Sequence, residues 1–392
     1  MAIVHPIDRA WISTGGTGAQ NYDEFASDDE ITRIIESNPR SALAIEMPHR
    51  APESLGTSFT EALPAAAQRL AAAKQAGAYV ASGPAVALYR ITGPDVTSYG
   101  MFCMVDTDQI STSADEPGLV IRNEDVFESK VRERVALAQT TGHLLSPVLL
   151  LQSTRGDDLQ QALQSEVAAA GAPAATDTDH QGRVHEIWPL AAGTAAAARL
   201  CELAGGGELV VADGNHRSLA AQTGGLARFL AVVTTPASVS IQPYNRLITE
   251  LPRDPADAGL PTEPVPGTPD LPPGRGTAFL YRNGGFARIP LPRDPAAPPV
   301  DNLDHSLVER LLVRDALGLD PGDKRIVYVG GDYPASWLCG EVDAGRADVA
   351  VLIAPVSTGD FIEVNLARQK MPRKSTWFTP KARAGLVLAE WS

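Results

Sequence analysis

The residues best suited to chemistry stand side by side in Asp213-Gly214-Asn215-His216-Arg217: an acid, an amide, an imidazole and a guanidinium around one glycine. Leu209-Val210-Val211-Ala212 before them reads as an apolar strand, and Ser218-Leu219-Ala220-Ala221 after them as an alanine-rich helix. Strand, tight turn and helix in that order put the polar groups at a helix N-terminus. There, unpaired amides and the positive end of the helix dipole receive an anion. Gly214 allows close backbone approach to a ligand, and Arg217 offers a forked donor for phosphate or carboxylate. Gly214, Asn215, His216 and Arg217 are therefore candidate phosphate contacts. Each has a plainer reading when taken singly: Asp213 as a helix cap, Asn215 as a turn residue, His216 and Arg217 as a solvated first turn. Four together, directly after an apolar strand, favour an anion-binding loop.

A second cationic stretch lies near the C-terminus, Arg373-Lys374-Ser375-Thr376 through Lys381. Lys374 with the hydroxyls of Ser375 and Thr376 could cradle an anion, and Lys381 adds charge. A basic surface loop is the plain alternative. It weighs less in a chain of net charge −14. That same charge argues against nucleic acid as a partner, which would require clustered basic residues. Cys103, Cys201 and Cys339 are widely spaced and form no metal-ligand pattern, so they read as buried free thiols in a reducing compartment. No signal segment or run of transmembrane length is evident, and the expectation is a soluble, cytoplasmic protein.

The elements that must position these residues follow a mixed α/β rhythm. Residues 1–20 end in Ser13-Thr14-Gly15-Gly16-Thr17-Gly18 and read as a flexible arm. Residues 21–250 form an N-terminal α/β region. It opens with a helix near Asp29–Ser37, a strand at Ala42–Glu46 and a helix over Thr57–Ala76, and continues with strands at Ala85–Arg90 and Tyr99–Val105. A helix running to Thr140 places Phe127, Val131, Val135 and Ala138 on one face, with Glu128 and Arg132 able to pair on another. Asp177, Asp179, His180 and His185 invite a metal reading, but their turn-rich setting favours a solvated hairpin. Residues 251–300 are proline-rich around one short strand, Thr277–Tyr281, and read as a linker or excursion, and 301–392 as a C-terminal α/β region.

Taken in context, the Asp-Gly-Asn-His-Arg turn resembles the signature of the ParB/sulfiredoxin-like superfamily. More closely, it resembles the bacterial family known as domain of unknown function 1015, whose usual pattern is Ala-Asp-Gly-His-His-Arg. Asn123-Glu124 stands where that family carries His-Glu, Leu145-Ser146-Pro147 follows as in the family, and Met371-Pro372-Arg373-Lys374-Ser375-Thr376 with Pro380-Lys381 matches its closing motif. Three family histidines are replaced here, by Asn123, Asn215 and Asn245. Asn cannot carry a proton, so acid–base chemistry at 215 is not expected. The resemblance implies a ParB/sulfiredoxin-like core with an added C-terminal α/β region, in which the turn binds nucleotide phosphates.

By analogy with the free-serine kinases of that superfamily, Glu124 would accept a substrate hydroxyl proton. Asp213 would orient that hydroxyl or bind Mg²⁺, and His216 and Arg217 would hold the phosphates. Arg246, the retained residue of a Thr-His-Arg motif, is carried as a further phosphate contact. The implied function is a phosphotransferase using Mg²⁺ with ATP or ADP, or pyrophosphate, to phosphorylate serine or a similar small metabolite. The partners are then that small molecule and the nucleotide, with neither nucleic acid nor membrane, and a homodimer is admitted. Two other classes stay open: a non-catalytic nucleotide-responsive switch, and a hydrolase or lyase acting on a phosphorylated small molecule. No Walker A or protein-kinase motif set occurs, and sulfiredoxin chemistry would need a cysteine where Asn215 stands.

Overall fold

The computed structural model describes residues 2–17, 21–25, 27–94, 96–111, 118–124, 128–255 and 257–391. The chain is mixed α/β and divides into two compact units, Met1–Val239 with Pro380–Ser392, and Ser240–Thr379.

The first unit is built on a mixed sheet in which ten strands are seen among the described residues. At its centre Arg228–Thr234 runs parallel to Val148–Gln152, which pairs antiparallel with the signature strand Leu209–Asp213. These strands read as nearly unbroken apolar runs because both faces are covered, and Leu150, Val211 and Val233 are fully buried. Val120–Ile121 lies parallel to the far side of the signature strand, with Leu209 opposite Val120 and Val210 opposite Ile121. Short as it is, this pairing carries Asn123 to the end of the signature strand. Phe127, expected on the face of the next helix, lies outside the described residues. That helix, Glu128–Thr141, does bury Val131 and Ala138 and pairs Glu128 with Arg132 at 3.4 Å.

Three sequence expectations are corrected in this unit. Residues 2–17 are no loose arm: Val4–His5 pairs with the strand Thr97–Asp106, and Ala10–Ser13 joins a four-stranded sheet with Tyr79–Ser82, Val387–Glu390 and His143–Leu144. Ile3, Val4, Ile7 and Ile12 are buried, and that apolar content outweighs the glycines that follow. Ala42–Glu46, expected as a strand, contains the short helix Leu43–Glu46. A short apolar run has no period of its own, and here two alanines and one β-branched residue favour helix. The Asp177–His185 region is a hairpin, but not a solvated one, since the side chains of Asp179 and His185 are fully buried.

In the second unit a six-stranded sheet is ordered Glu263–Val265, Gly285–Pro290, Thr277–Arg282, Val349–Ile353, Asn245–Ile248 and Ile326–Val329. The proline-rich stretch supplies three of these strands, the expected one at Thr277–Arg282 and two that sequence did not show, so a linker reading is corrected. Thr277–Arg282 and Gly285–Pro290 are joined by Asn283-Gly284, both at positive φ, the residue pair that a two-residue hairpin turn requires. Helices Ala335–Asp343 and Thr358–Leu366 continue the expected α/β alternation, while Glu309–Ala316 winds as a π-helix.

His305, wholly buried in this unit, has its pKa pushed down to about 3 by burial and by the nearby Arg246 charge. Its Nε2–H donates to the Tyr244 carbonyl at 3.2 Å. The folded protein holds this imidazole neutral while the unfolded chain protonates near pH 6.5, so stability is present above pH 6.5 and lost on acidification towards 3. At about 1.4 kcal/mol per pH unit, going from pH 6.5 to 4 is expected to remove on the order of 3 kcal/mol through this residue. Thermal melts of the whole chain across that window should therefore fall more steeply for the natural protein than for His305→Gln, which keeps a donor but does not titrate. Equal slopes would refute the assignment.

Candidate functional site

Between Val211 and Asp213 the signature strand shifts register by one residue, from Val211 opposite Leu150 to Asp213 opposite Leu149. Such a bulge re-aims the side chain at the strand end. Gly214 follows at φ 95° and starts the helix Asn215–Thr223, whose first turn has no side-chain cap. Only glycine takes this left-handed conformation without strain. A Cβ on Gly214 would also lie 2.9 Å from Arg217 Nε and 3.1 Å from Cζ. The glycine is therefore what lets the Arg217 side chain fold back across the turn.

Folded back in this way, Arg217 donates from Nη2 to Asp213 Oδ2 at 2.5 Å and from Nη1 to the Pro147 carbonyl at 2.6 Å. Lys381 approaches the other Asp213 oxygen, Nζ to Oδ1 3.8 Å, and is itself buried. Two cations thus converge on one carboxylate at a helix N-terminus. The arrangement suits exchange of partners, because an incoming phosphate can take the donors that Asp213 holds. Gly214→Ala is expected to push Arg217 off Asp213 and to destabilise the protein by about 1–2 kcal/mol through backbone strain. Chemical denaturation measures the stability loss. Phosphate titration followed by NMR should show weaker binding, and unchanged binding would count against the role given to Gly214.

Asn215 is buried, and its Nδ2 donates to Asn123 Oδ1 at 2.5 Å. Two of the three asparagines that replace family histidines therefore meet each other, while the third, Asn245, accepts from the Ile353 amide at 3.0 Å in the second unit. Sequence reading noted the replacements without pairing them; their joint occurrence was the available signal. Glu124 is the residue that follows Asn123. Glu124 and His216 are both half-buried. Among the described residues Asn215 Oδ1 has no hydrogen-bond partner, leaving a buried acceptor at the turn.

The remaining expected contacts separate. Lys381 belongs to the first unit with the signature turn, whereas Arg246, Lys374, Ser375 and Thr376 belong to the second. Arg246 is corrected from phosphate contact to internal strut. It is 2% exposed, donates to the carbonyls of Tyr244 at 2.8 Å and Asn245 at 3.2 Å, and lies 4.2 Å from the Tyr328 ring centre. Burial pulls its pKa down to about 10. Ser375, also buried, gives its hydroxyl proton to the Pro372 carbonyl at 2.7 Å, and Lys374 lies 5.7 Å from the Tyr244 ring centre. As to metals, no group of three or more His, Cys, Asp or Glu side chains is placed to hold an ion among the described residues. Magnesium needs no such cage, since it commonly takes one or two carboxylates together with substrate phosphates. Asp213 is compatible with that use once its cations have partners elsewhere. Among the described residues no helix is long and apolar enough to cross a membrane.

Fold and turn together define a mixed α/β protein organised on a strand–glycine–helix corner. The chain belongs to the family described as "Protein of unknown function (DUF1015)", whose model matches residues 17–306. No curated protein matches the sequence. Similar solved structures include a conserved hypothetical protein from Pyrococcus furiosus, 12% identical with TM-score 0.39, over 72% of this chain and 93% of that one. A free serine kinase in complex with AMP is 11% identical with TM-score 0.40, over 73% and 91%. C-terminally truncated SbnI from Staphylococcus aureus is 12% identical with TM-score 0.42, over 73% and 85%. At such low overlap the activities of those proteins remain theirs.

Proposed function

We propose that this chain is a small-molecule phosphotransferase whose signature turn binds the phosphates of a nucleotide or pyrophosphate. The observation that carries the reading is the convergence of Arg217 and Lys381 on Asp213 at the uncapped start of the helix. Arg217, His216 and the first-turn amides would hold the transferring group, and Lys381 would add charge as it develops. Glu124, the residue after Asn123, would take the proton from the acceptor hydroxyl. The acceptor oxygen then bonds to the terminal phosphorus, the bond from phosphorus to the bridging oxygen breaks, and the electron pair leaves on that oxygen. Asp213 would orient the acceptor or hold magnesium, which supplies charge neutralisation on the phosphates when bound. Serine or a similar hydroxy metabolite is the acceptor class.

The Asn123–Asn215 pair supports a further feature. Where imidazoles would titrate near neutral pH, two amides do not, so these positions add no pH dependence to turnover between pH 6 and 8. The orphan Asn215 oxygen equally suits a ligand donor without any transfer, which is the nucleotide-responsive switch.

Phosphorus NMR decides between them. ATP, ADP and pyrophosphate are offered with magnesium and a panel of hydroxy compounds led by serine. A new phosphomonoester signal supports the phosphotransferase. Binding shifts in the protein with no turnover on any donor would replace it with the switch.

A further inference from the structure

Beside the signature helix the first unit holds a small cleft open to solvent. The helix Glu128–Thr141 and the signature helix, which pack together, form two of its walls. Arg217 itself lines it, as do the apolar Val148 and Phe229, and Trp391 from the C-terminal segment. The rest of its lining mixes apolar side chains with Glu46, Arg134, His143 and Ser146.

The buried acid Glu46 also lines the cleft and meets Arg134 through its backbone carbonyl. Among the described residues, Arg134 and Ser146 in the lining each bury a polar atom with no hydrogen-bond partner. Arg134 is 8% exposed, and its Nε–H is buried without an acceptor. Its other nitrogens make long contacts only, 3.5 Å to the Glu46 carbonyl and 3.7 Å to Met47 Sδ, while the guanidinium lies 4.7 Å from the Tyr22 ring centre. Ser146 Oγ, from the Leu-Ser-Pro motif, is likewise buried and unpaired. A buried guanidinium with an unused donor, stacked on an aromatic ring, is costly unless an anion completes it. Arg217, whose donors go to Asp213 and the Pro147 carbonyl, is assigned to the transferring phosphate, which leaves Arg134 as the cation for a second anion.

We propose that this cleft seats the acceptor, and that the acceptor is a hydroxyl-bearing carboxylate with an apolar body of a few carbons. Arg134 receives the carboxylate, Ser146 adds a hydrogen bond, the apolar walls take the carbon body, and the hydroxyl end faces Arg217. This rests on the phosphotransferase reading for the word acceptor, though not for the binding itself.

The test is therefore binding without nucleotide, followed by tryptophan fluorescence of the full chain. The probes are 6-hydroxyhexanoate, its methyl ester, and 6-amino-1-hexanol, which lacks the anion. Saturable binding of the acid is expected, with the ester weaker by about ten-fold or more, as loss of a charge-assisted hydrogen bond implies. Trp391→Phe should remove most of the signal, Arg134→Lys should retain more affinity than Arg134→Gln, and Ala138→Leu should block the cleft. Should the Arg134 variants misfold, Ala138→Leu with circular dichroism as a folding control carries the test alone. Equal binding of acid and ester, preference for the amine, or unaltered binding in Ala138→Leu overturns the inference. Acid binding without phosphoryl transfer would retain the cleft and sink the phosphotransferase. Transfer indifferent to the carboxylate and to Ala138→Leu would do the reverse.

Discussion

Arg217→Ala is expected to lower phosphoryl transfer by about 10²–10³-fold, the usual cost of removing a donor aimed at developing charge. The side chain has two tasks in the folded protein, and the variant loses both. It holds Asp213 at 2.5 Å, and it ties the turn to the Pro147 carbonyl at 2.6 Å. Without it, Asp213 keeps Lys381 at 3.8 Å but loses the guanidinium that holds its other oxygen. Substrate phosphate should accordingly bind more weakly as well as react more slowly. Lys at 217 restores charge without the fork, and should recover part of the binding but little of the rate. Rates from the phosphorus NMR assay, with acceptor and donor varied separately, give the split. A variant that turns over normally would remove the signature turn from the chemistry altogether.

Arg383→Met is expected to cost about 3–5 kcal/mol of stability, the usual penalty for stripping one partner from a buried ion network. Arg383 is fully buried, with Nη1 on the Glu24 carboxylate and Nη2 on Asp179 Oδ2 at 2.9 Å. The same Asp179 oxygen accepts from Arg183 Nε at 2.7 Å and His185 Nε2 at 3.1 Å, and Tyr89 donates to His185 Nδ1 at 2.6 Å. Burial alone would raise the Asp179 pKa. The His185 hydrogen bond and the Arg383 and Arg183 charges outweigh it and hold the carboxyl well below its usual range. His185 is lowered chiefly by burial. Both shifts act in one direction. The folded state binds fewer protons than the unfolded one, so stability is complete above about pH 6.5. It declines first through His185 and, below about pH 4, through Asp179 as well. Urea denaturation of natural protein and Arg383→Met at pH 7 tests the first figure, and the same pair at pH 5 tests the sign. A variant within 1 kcal/mol of the natural protein at pH 7 would show the network to be dispensable.

The local consequences of the sequence near the signature were legible before any fold was known. An apolar β-branched run, a glycine and an alanine-rich run specify strand, turn and helix through short-range preferences, and Leu209–Asp213, Gly214 and Asn215–Thr223 follow that order. Periodicity likewise found most of the longer helices. It failed where local signals are weak or contested. Val4–His5 and Ala10–Ser13 are short and lie in a stretch that ends in Gly15-Gly16. Asn283-Gly284 was a readable hairpin turn hidden among prolines.

What the sequence by itself determined, then, was the family signature and the chemical types gathered in one turn. Tertiary structure decided which distant residues join them. Asn123 meets Asn215 because a two-residue strand aligns with Leu209–Val210, and a pairing register cannot be read from either segment alone. Lys381 reaches Asp213 because the chain returns from the second unit and ends in the first, while Lys374 and Arg246 stay behind. Long-range contacts of this kind arise from sheet order and buried area summed over the whole chain, and no window of sequence contains that sum.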